Sequence, residues 1–558
     1  MNATLWEFPS TVFAPDHGAE LSVLVHELRQ EVAGLRREVF DLRQQVGYWR
    51  TMHARAVEKG EKLQREIDRL RGENRQLKDR LYGTKSEKHD GGERSFALDD
   101  LQAAEEKPKR RRGQQPQAPG PRRRDYSYLP VVEEPVALPP EQCVCPQCGK
   151  PLAAMSDSED SEVVEIEVRP YRRRIRRRRY RSTCKCAGVP RTLVAPLPPK
   201  LIPKAGYGIS LWVHLLLEKF AAHHALGNVL AQLGRYDLAL SPGTATEGFR
   251  RLTPLLEPIY QAFLQRNAQS AYNQADETRW LVFVNWDGKT GHRWWLWAYL
   301  GEDSVVFRIA PSRGHEVPEG HYPLNAKGFL VVDRYSAYKA MVQVKLGNLL
   351  LVFCWAHVRR DFLAVGKGWP DLAPWAVAWL QRIRELYHLH RQRLRHDPAA
   401  ADFQRATATL REAAAAMHAQ AVSELADEKL RSPCRKTLES LLEHWPGLTR
   451  FVTNAKLPMD NNASERAVRG PAMGRKNYYG SGSLWSVCLT AAMFSIVATL
   501  NRWDLNPQRW LTWYLESCAV AGGKPPADIE TFLPWNLPDQ RRQELANRPG
   551  SASPPNTS

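Results

Sequence analysis

The sequence predicts a multidomain chain with an N-terminal coiled coil, a small zinc-binding β module, a helical segment, a mixed α/β core and a helical C-terminus. Three observations predict it. The 558 residues exceed a single domain several times over. A narrow apolar seam repeats through the first eighty residues, and between Gln274 and His357 the texture changes to short β-rich runs. Lys and Arg outnumber Asp and Glu by 79 to 61, a formal net charge of +18, which points to a polyanionic partner such as nucleic acid.

The coiled coil is read over 18–82. Leu21, Val25, Leu28, Val32, Leu35, Val39, Leu42, Val46 and Trp49 keep strict 3-4 spacing. The register weakens through His53, Ala56 and Gly60 and resumes at Leu63, Ile67, Leu70, Asn74, Leu77 and Leu81. A seam so narrow predicts self-association, and a polar Asn74 within it favours one register and strand number. A basic, disordered linker follows over 83–138, with Pro, Gly, Gln and blocks of Arg over 107–124.

Nine cysteines in so long a chain do not make a disulfide scaffold, and five of them fall between Cys143 and Cys186. The pairs Cys145 with Cys148 and Cys184 with Cys186 have the turn spacing of a four-thiolate Zn²⁺ site, placing a zinc-binding module at 139–190. Cys143 is the spare ligand. Between the pairs an arginine-rich ribbon, with Arg173 and Arg177 in its middle, suits phosphate contact without base reading. A solvated basic face is the alternative.

Residues 200–268 read as helical, with Gly234 as a breaker and Ser241-Pro242-Gly243-Thr244 shaped like a helix start. Two short helices around a turn fit a DNA-reading helix-turn-helix, and an ordinary helical domain fits them as well. The first six residues lack a basic region followed by an apolar core, so a signal peptide is not expected. The weakly polar stretch 487–500 is too short to span a bilayer, so no membrane is expected and a bacterial cytoplasmic location is.

The α/β core is read over 269–362 and 456–500. Strands are expected at 279–286, 293–300, 305–309, 328–332 and 348–354, with a hairpin at Asp287-Gly288 and a helix at 335–344. Asp276 precedes the first apolar run. Asp333 ends the fourth, where a strand delivers a polar group to a ligand, although a helix N-cap would also explain it. Glu465, Arg466 and Arg469 then sit on a helix start after Asp460-Asn461-Asn462, so three separated carboxylates can converge. Residues 363–455 are rich in helix formers, a helical C-terminal segment fills 501–540, and a disordered tail 541–558.

The runs Ala275-Asp276-Glu277-Thr278, Val332-Asp333-Arg334-Tyr335-Ser336-Ala337-Tyr338, Cys354-Trp355-Ala356-His357-Val358-Arg359-Arg360 and Asp460-Asn461-Asn462 through Glu465-Arg466 to Arg475-Lys476-Asn477 resemble the insertion sequence 66 family of bacterial DDE-type transposases. The resemblance extends from Leu81-Tyr82-Gly83 to the closing Leu533-Pro534-Trp535. It implies an RNase H-like catalytic core, interrupted before the Glu by a helical insertion over 363–455, in which Asp276, Asp333 and Glu465 hold Mg²⁺ (or Mn²⁺) and catalyse cleavage and transfer of DNA strands. One departure is the Cys-x-Cys second pair, with one intervening residue.

Two metal ions bound by these carboxylates would suit an in-line displacement at phosphorus. Arg466, Arg469, Arg475 and Lys476, close to Glu465 in sequence, are expected to hold the DNA backbone. The expected partners are DNA, as terminal inverted repeats and target, further copies of the chain, and accessory proteins of the same element. His357 and Glu277 are left without a role. Two other readings share these residues: an inactive relative acting as a DNA-binding regulator, and a structure-selective nuclease on the same fold.

Overall fold

A computed structural model describes residues 18–82, 131–133, 168–181, 192–286 and 291–547, together with residues 139, 143, 147, 148, 150, 151, 161, 163, 183, 190 and 288. The chain divides into two units, Met1–Ala103 with Leu363–Val377, and Ala104–Phe362 with Ala378–Ser558. The expected linker 83–138 lies almost wholly outside the described residues. So do three of the four expected zinc ligands, Cys145, Cys184 and Cys186.

In the first unit, helix α1 runs unbroken over Gly18–Tyr82. The weak stretch around Gly60 therefore costs the seam some apolar contact without breaking the helix. Of the seam side chains, Val25, Leu28, Val32, Leu35, Val39, Leu42, Val46 and Trp49 are exposed.

In the second unit, the arginine run 168–178 is exposed and leads into β1 (Arg179–Arg181), which pairs antiparallel with β2 (Thr192–Val194). The Arg177 Nε donates to the Ala195 carbonyl at 2.6 Å, which folds the run back onto the second strand. Three helices come next: α2 (Ile209–Phe220), α3 (Leu226–Arg235) and α4 (Pro242–Ala268). Ser241 caps α4 by accepting from the Thr244 backbone N–H at 3.1 Å, as its sequence predicts.

The core sheet contains β3 (Tyr272–Val282), β4 (Arg293–Leu300), β5 (Val305–Ala310), β6 (Gly328–Val332) and β7 (Leu349–Phe353). Their spatial order is β5-β4-β3-β6-β7, and a short β8 (Gly480–Ser481) adds to the far end of β3. The first three strands are antiparallel neighbours, whereas β6 and β7 run parallel to β3. Four strands fall within two residues of their expected bounds. The first starts seven residues earlier than expected, at Tyr272, because its N-terminal half pairs with β6 through polar residues that an apolar run does not reveal.

Short helix α5 (Ser336–Ala340) follows β6, and α6 (Trp355–Gly368) follows β7. The expected insertion is helical, with α7 (Ala373–Arg393), α8 (Ala401–Leu425) and α9 (Ser432–Glu443). It returns to the sheet through the single turns Trp445–Leu448 and Arg450–Thr453. There the Arg450 Nε donates to the Leu351 carbonyl of β7 at 3.1 Å. Buried Arg393 ties α7 to the same turns, donating to the carbonyls of Val452 and Phe451 at 2.7 Å each.

The closing helices are α10 (Asn462–Tyr478), α11 (Leu484–Arg502) and α12 (Pro507–Val520). Helix α11 is longer than its apolar stretch suggests. By length and composition it could cross a membrane, but most of it is buried against the sheet. Its hydroxyls serve the outer strand: the backbone N–H groups of Phe307 and Val305 donate to Ser495 Oγ at 2.8 Å and Thr499 Oγ1 at 3.0 Å. An otherwise open edge of the sheet is thereby satisfied from the side. Phe494 of the same helix packs its ring against Phe220, Trp280 and Phe307, so α2 is built into the core. The ordered chain also runs past residue 540, the expected limit, because Leu545 and Ala546 are buried and the Asn506 N–H donates to the Leu545 carbonyl at 2.7 Å.

Candidate catalytic site

Parallel pairing of β3 with β6 sets Tyr272 opposite Phe329 and Gln274 opposite Val331. The same offset, carried two residues past the last paired position, would set Asp276 level with Asp333, where β6 has ended and the chain turns toward α5. Side chains alternate along a strand, so Asp276, Thr278 and Trp280 share one face of β3 and Glu277 takes the other. The first face lies under α10. An Arg475 Nη1 near the end of that helix donates to Thr278 Oγ1 at 3.1 Å and to the Arg279 carbonyl. Glu465 stands in its first turn.

Asp276 feels the charge of both other carboxylates. Asp276 is pushed up to about 8, first by burial, then by Glu277, Glu465 and Asp333, against a hydrogen bond accepted from the Glu277 N–H at 2.9 Å. Each of the other two has a partner already. Asp333 Oδ1 accepts the Tyr335 N–H at 2.9 Å, so this residue braces the turn into α5 while ending the strand. Glu465 Oε1 accepts from the Arg360 Nη2 at 2.8 Å, and the His357 Nε2 lies 3.8 Å from the same oxygen. Among the described residues no three His, Cys, Asp or Glu side chains stand grouped as a ready metal cage. With Glu465 turned toward α6, the carboxylates are neighbours rather than a closed ring.

Burial and the Arg360 guanidinium hold His357 below its ordinary range, while Glu465 and Asp333 pull the other way. Its imidazole belongs to the rim of the site. Arg334, next to Asp333, pairs with Asp361 of α6 and donates to Ser440 Oγ of α9 at 2.9 Å, so the insertion braces the loop that carries Asp333.

On the opposite face of β3, Glu277 is buried and doubly held. It accepts from the Arg313 Nη2 at 2.6 Å and from the Tyr338 hydroxyl at 2.7 Å. The Arg313 guanidinium lies 3.9 Å from the centre of the Tyr335 ring. Both tyrosines of the Asp333-to-Tyr338 run thus serve the strand that carries Asp276. Sequence reasoning left Glu277 open and missed its partners. Strand alternation did signal that Glu277 turns away from Asp276.

Asn461 was also missed, having been read only as part of a polar helix start. It is 1% exposed. Its Nδ2 donates to the Ala275 carbonyl at 2.8 Å, and its backbone N–H donates to Cys354 Sγ at 3.2 Å. Its own carbonyl accepts from the Glu465 N–H at 3.2 Å and from Ser464 Oγ at 3.0 Å. One residue therefore links the strand of Asp276, the end of β7 and the turn of Glu465.

Of the expected DNA-contacting residues, Arg466, Arg469 and Lys476 are exposed and lie along one stripe of α10, whereas Arg475 is half-buried against β3. Arg173 and Arg177 lie in the separate exposed arginine run. Cys148, the one expected zinc ligand within the described residues, is exposed, and Cys143 is half-buried.

Residues 204–487 match a family model described as Transposase IS66 family, and residues 69–133 match one described as Transposase C of IS166 homeodomain. Three relatives from Sinorhizobium fredii span much of the chain. Uncharacterized protein y4jD is 28% identical over 518 residues, covering 87% of this chain and 97% of the relative. Uncharacterized protein y4qI is 27% identical over 454 residues, 78% of this chain and 79% of the relative. Uncharacterized protein y4hP is 25% identical over 428 residues, 72% and 74% of the two chains.

Proposed function

The chain belongs to the IS66 family of transposases, and we propose that it cleaves DNA at the ends of an insertion sequence and transfers the strands to target DNA through Asp276, Asp333 and Glu465. The observation that supports this reading is the parallel pairing of β3 with β6, whose register continued past Gln274 and Val331 would set Asp276 level with Asp333, together with the charge of Asp333 and Glu465 acting on Asp276. The strand order β5-β4-β3-β6-β7, three antiparallel and two parallel to β3, supports reading the sheet as an RNase H-like core. On that reading 363–455 is the insertion ahead of Glu465.

The donors suit Mg²⁺ or Mn²⁺: all are hard carboxylate oxygens, and Asp276 is held protonated to unusually high pH first by burial and then by neighbouring negative charge, which a divalent cation would offset. Bound there, such ions would acidify a water or a DNA 3′-OH and stabilise the leaving oxygen of an in-line displacement. The protein's own part is to hold the backbone and orient the carboxylates. Arg466, Arg469 and Lys476 form the phosphate-facing stripe of α10. Arg475 anchors that helix to β3 and adds its charge to the same side. Arg360, paired with Glu465 here, would stand beside a bound ion as a further cation for the scissile phosphate.

The purified chain and an end-sequence duplex test the reading directly. Asp333→Ala is expected to abolish cleavage and strand transfer while leaving duplex binding near that of the wild type. Strand transfer retained by this variant removes Asp333 from the triad.

Three further parts complete the proposal. Exposed α1 joins copies of the chain, and the activity belongs to the bacterial cytoplasm. Cys145, Cys148, Cys184 and Cys186 hold Zn²⁺, for which their turn spacing and thiolate chemistry are the support. Metal analysis of the purified chain should find one zinc per chain, lost in the Cys145→Ser, Cys148→Ser double variant. Equal zinc in both proteins would contradict the assignment.

A further inference from the structure

Helix α1 presents a seam whose described side chains are exposed. Val32 is 46% exposed, Leu35 53% and Val39 47%, with the same pattern through Trp49 and again at Leu63, Ile67 and Leu70. Toward the end of the helix a close packing contact uses another side. Gly72 is buried, and a Cβ added there would run into the Trp369 indole of the same unit. In the heptad that sets Val25 at position a and Leu28 at d, Gly72 falls at f, opposite the seam.

The identities along the seam select its occupant. Every a position from Val25 to Val46 is valine, and the d positions Leu28, Leu35 and Leu42 are leucine. A β-branched residue at a with Leu at d favours two strands over three or four. The flanking positions select the orientation. Positions e carry Arg29, Arg36, Arg43 and Arg50, whereas positions g carry Glu31 and Glu38. In a parallel, in-register pair each g residue meets the following e residue of the other helix, so Glu31 faces Arg36 and Glu38 faces Arg43, twice over by symmetry. An antiparallel pair would set g against g and e against e, Glu on Glu and Arg on Arg. The side chains of Glu31, Arg36, Glu38 and Arg43 are all exposed.

We propose that α1 pairs with α1 of a second copy of this chain as a parallel, in-register, two-stranded coiled coil, its orientation set by the Glu31–Arg36 and Glu38–Arg43 contacts between chains. This deepens the self-association in the proposed function, supplying strand number, direction and register. The pairing zips tightly from Val25 to Trp49 and loosens where His53, Ala56 and Gly60 occupy the core positions. It brings the two Tyr82 ends together, and with them the starts of the two segments that lead to the catalytic residues.

The test uses the full chain. Val32→Cys puts one thiol at a core position where only a parallel, in-register partner presents its twin within disulfide reach. Under mild oxidation, peptide mapping should find a disulfide joining the two introduced thiols, and light scattering should give twice the chain mass. Glu31→Arg with Glu38→Arg should raise the dimer dissociation constant roughly ten- to a hundredfold, and adding Arg36→Glu with Arg43→Glu should restore it. A monomer, a trimer or larger assembly, a dimer whose introduced thiols do not join, or a charge reversal without effect each overturns the proposal. These readouts concern protein alone, so a chain that pairs in this way and moves no DNA would sink the transposase reading and leave the pairing standing.

Discussion

Asn461 shows how a single side chain sets the geometry of a site it does not enter. Its amide reaches the carbonyl beside Asp276, its backbone reaches Cys354, and its carbonyl starts the turn that carries Glu465. Asn461→Ala leaves the Ala275 carbonyl without that donor, which should cost about 1–3 kcal/mol of stability. Thermal melting checks this, and an unchanged midpoint would show the amide bond to be dispensable. The same scale shows where sequence reasoning ends. That Glu277 turns away from Asp276 follows from strand alternation alone. That its partners are Arg313 and Tyr338, or that Arg360 holds Glu465 across 105 positions, depends on which segments meet, and no local pattern encodes that.

At the scale of elements, the sheet was legible because its strands are apolar runs bounded by turn residues, and four of five fall near their expected bounds. The start of β3 was not, since Tyr272-Asn273-Gln274 is mostly polar and becomes strand by pairing with β6. Helix α11 extends beyond the weakly polar stretch 487–500 at both ends, and within that stretch Ser495 and Thr499 are buried and bonded to the edge strand. Replacing both by Ala strips two backbone N–H groups of β5 of their acceptors, and by the cost of unmet buried donors this should destabilise the fold by roughly 2–6 kcal/mol. Urea unfolding measures it. A change within error would mean that β5 finds other acceptors. The proposed zinc ligands are legible only as spacing, and three of the four fall outside the described residues.

For the molecule as a whole, a basic chain with an exposed apolar seam on α1 and three carboxylates on one α/β core fits a reaction in which two DNA ends are cut and joined together. The helical insertion serves that core twice, bracing the loop of Asp333 through Ser440 and returning to β7 through Arg450. Its helices were legible from composition, whereas these contacts were not, because each joins residues about a hundred positions apart. A transposition assay in cells tests the central claim most directly, with a marker placed between the DNA ends that flank the gene. The account predicts marker movement by the wild type and none by Asp276→Ala, Asp333→Ala or Glu465→Ala expressed at equal levels. Movement by any of the three variants at the wild-type rate would contradict it.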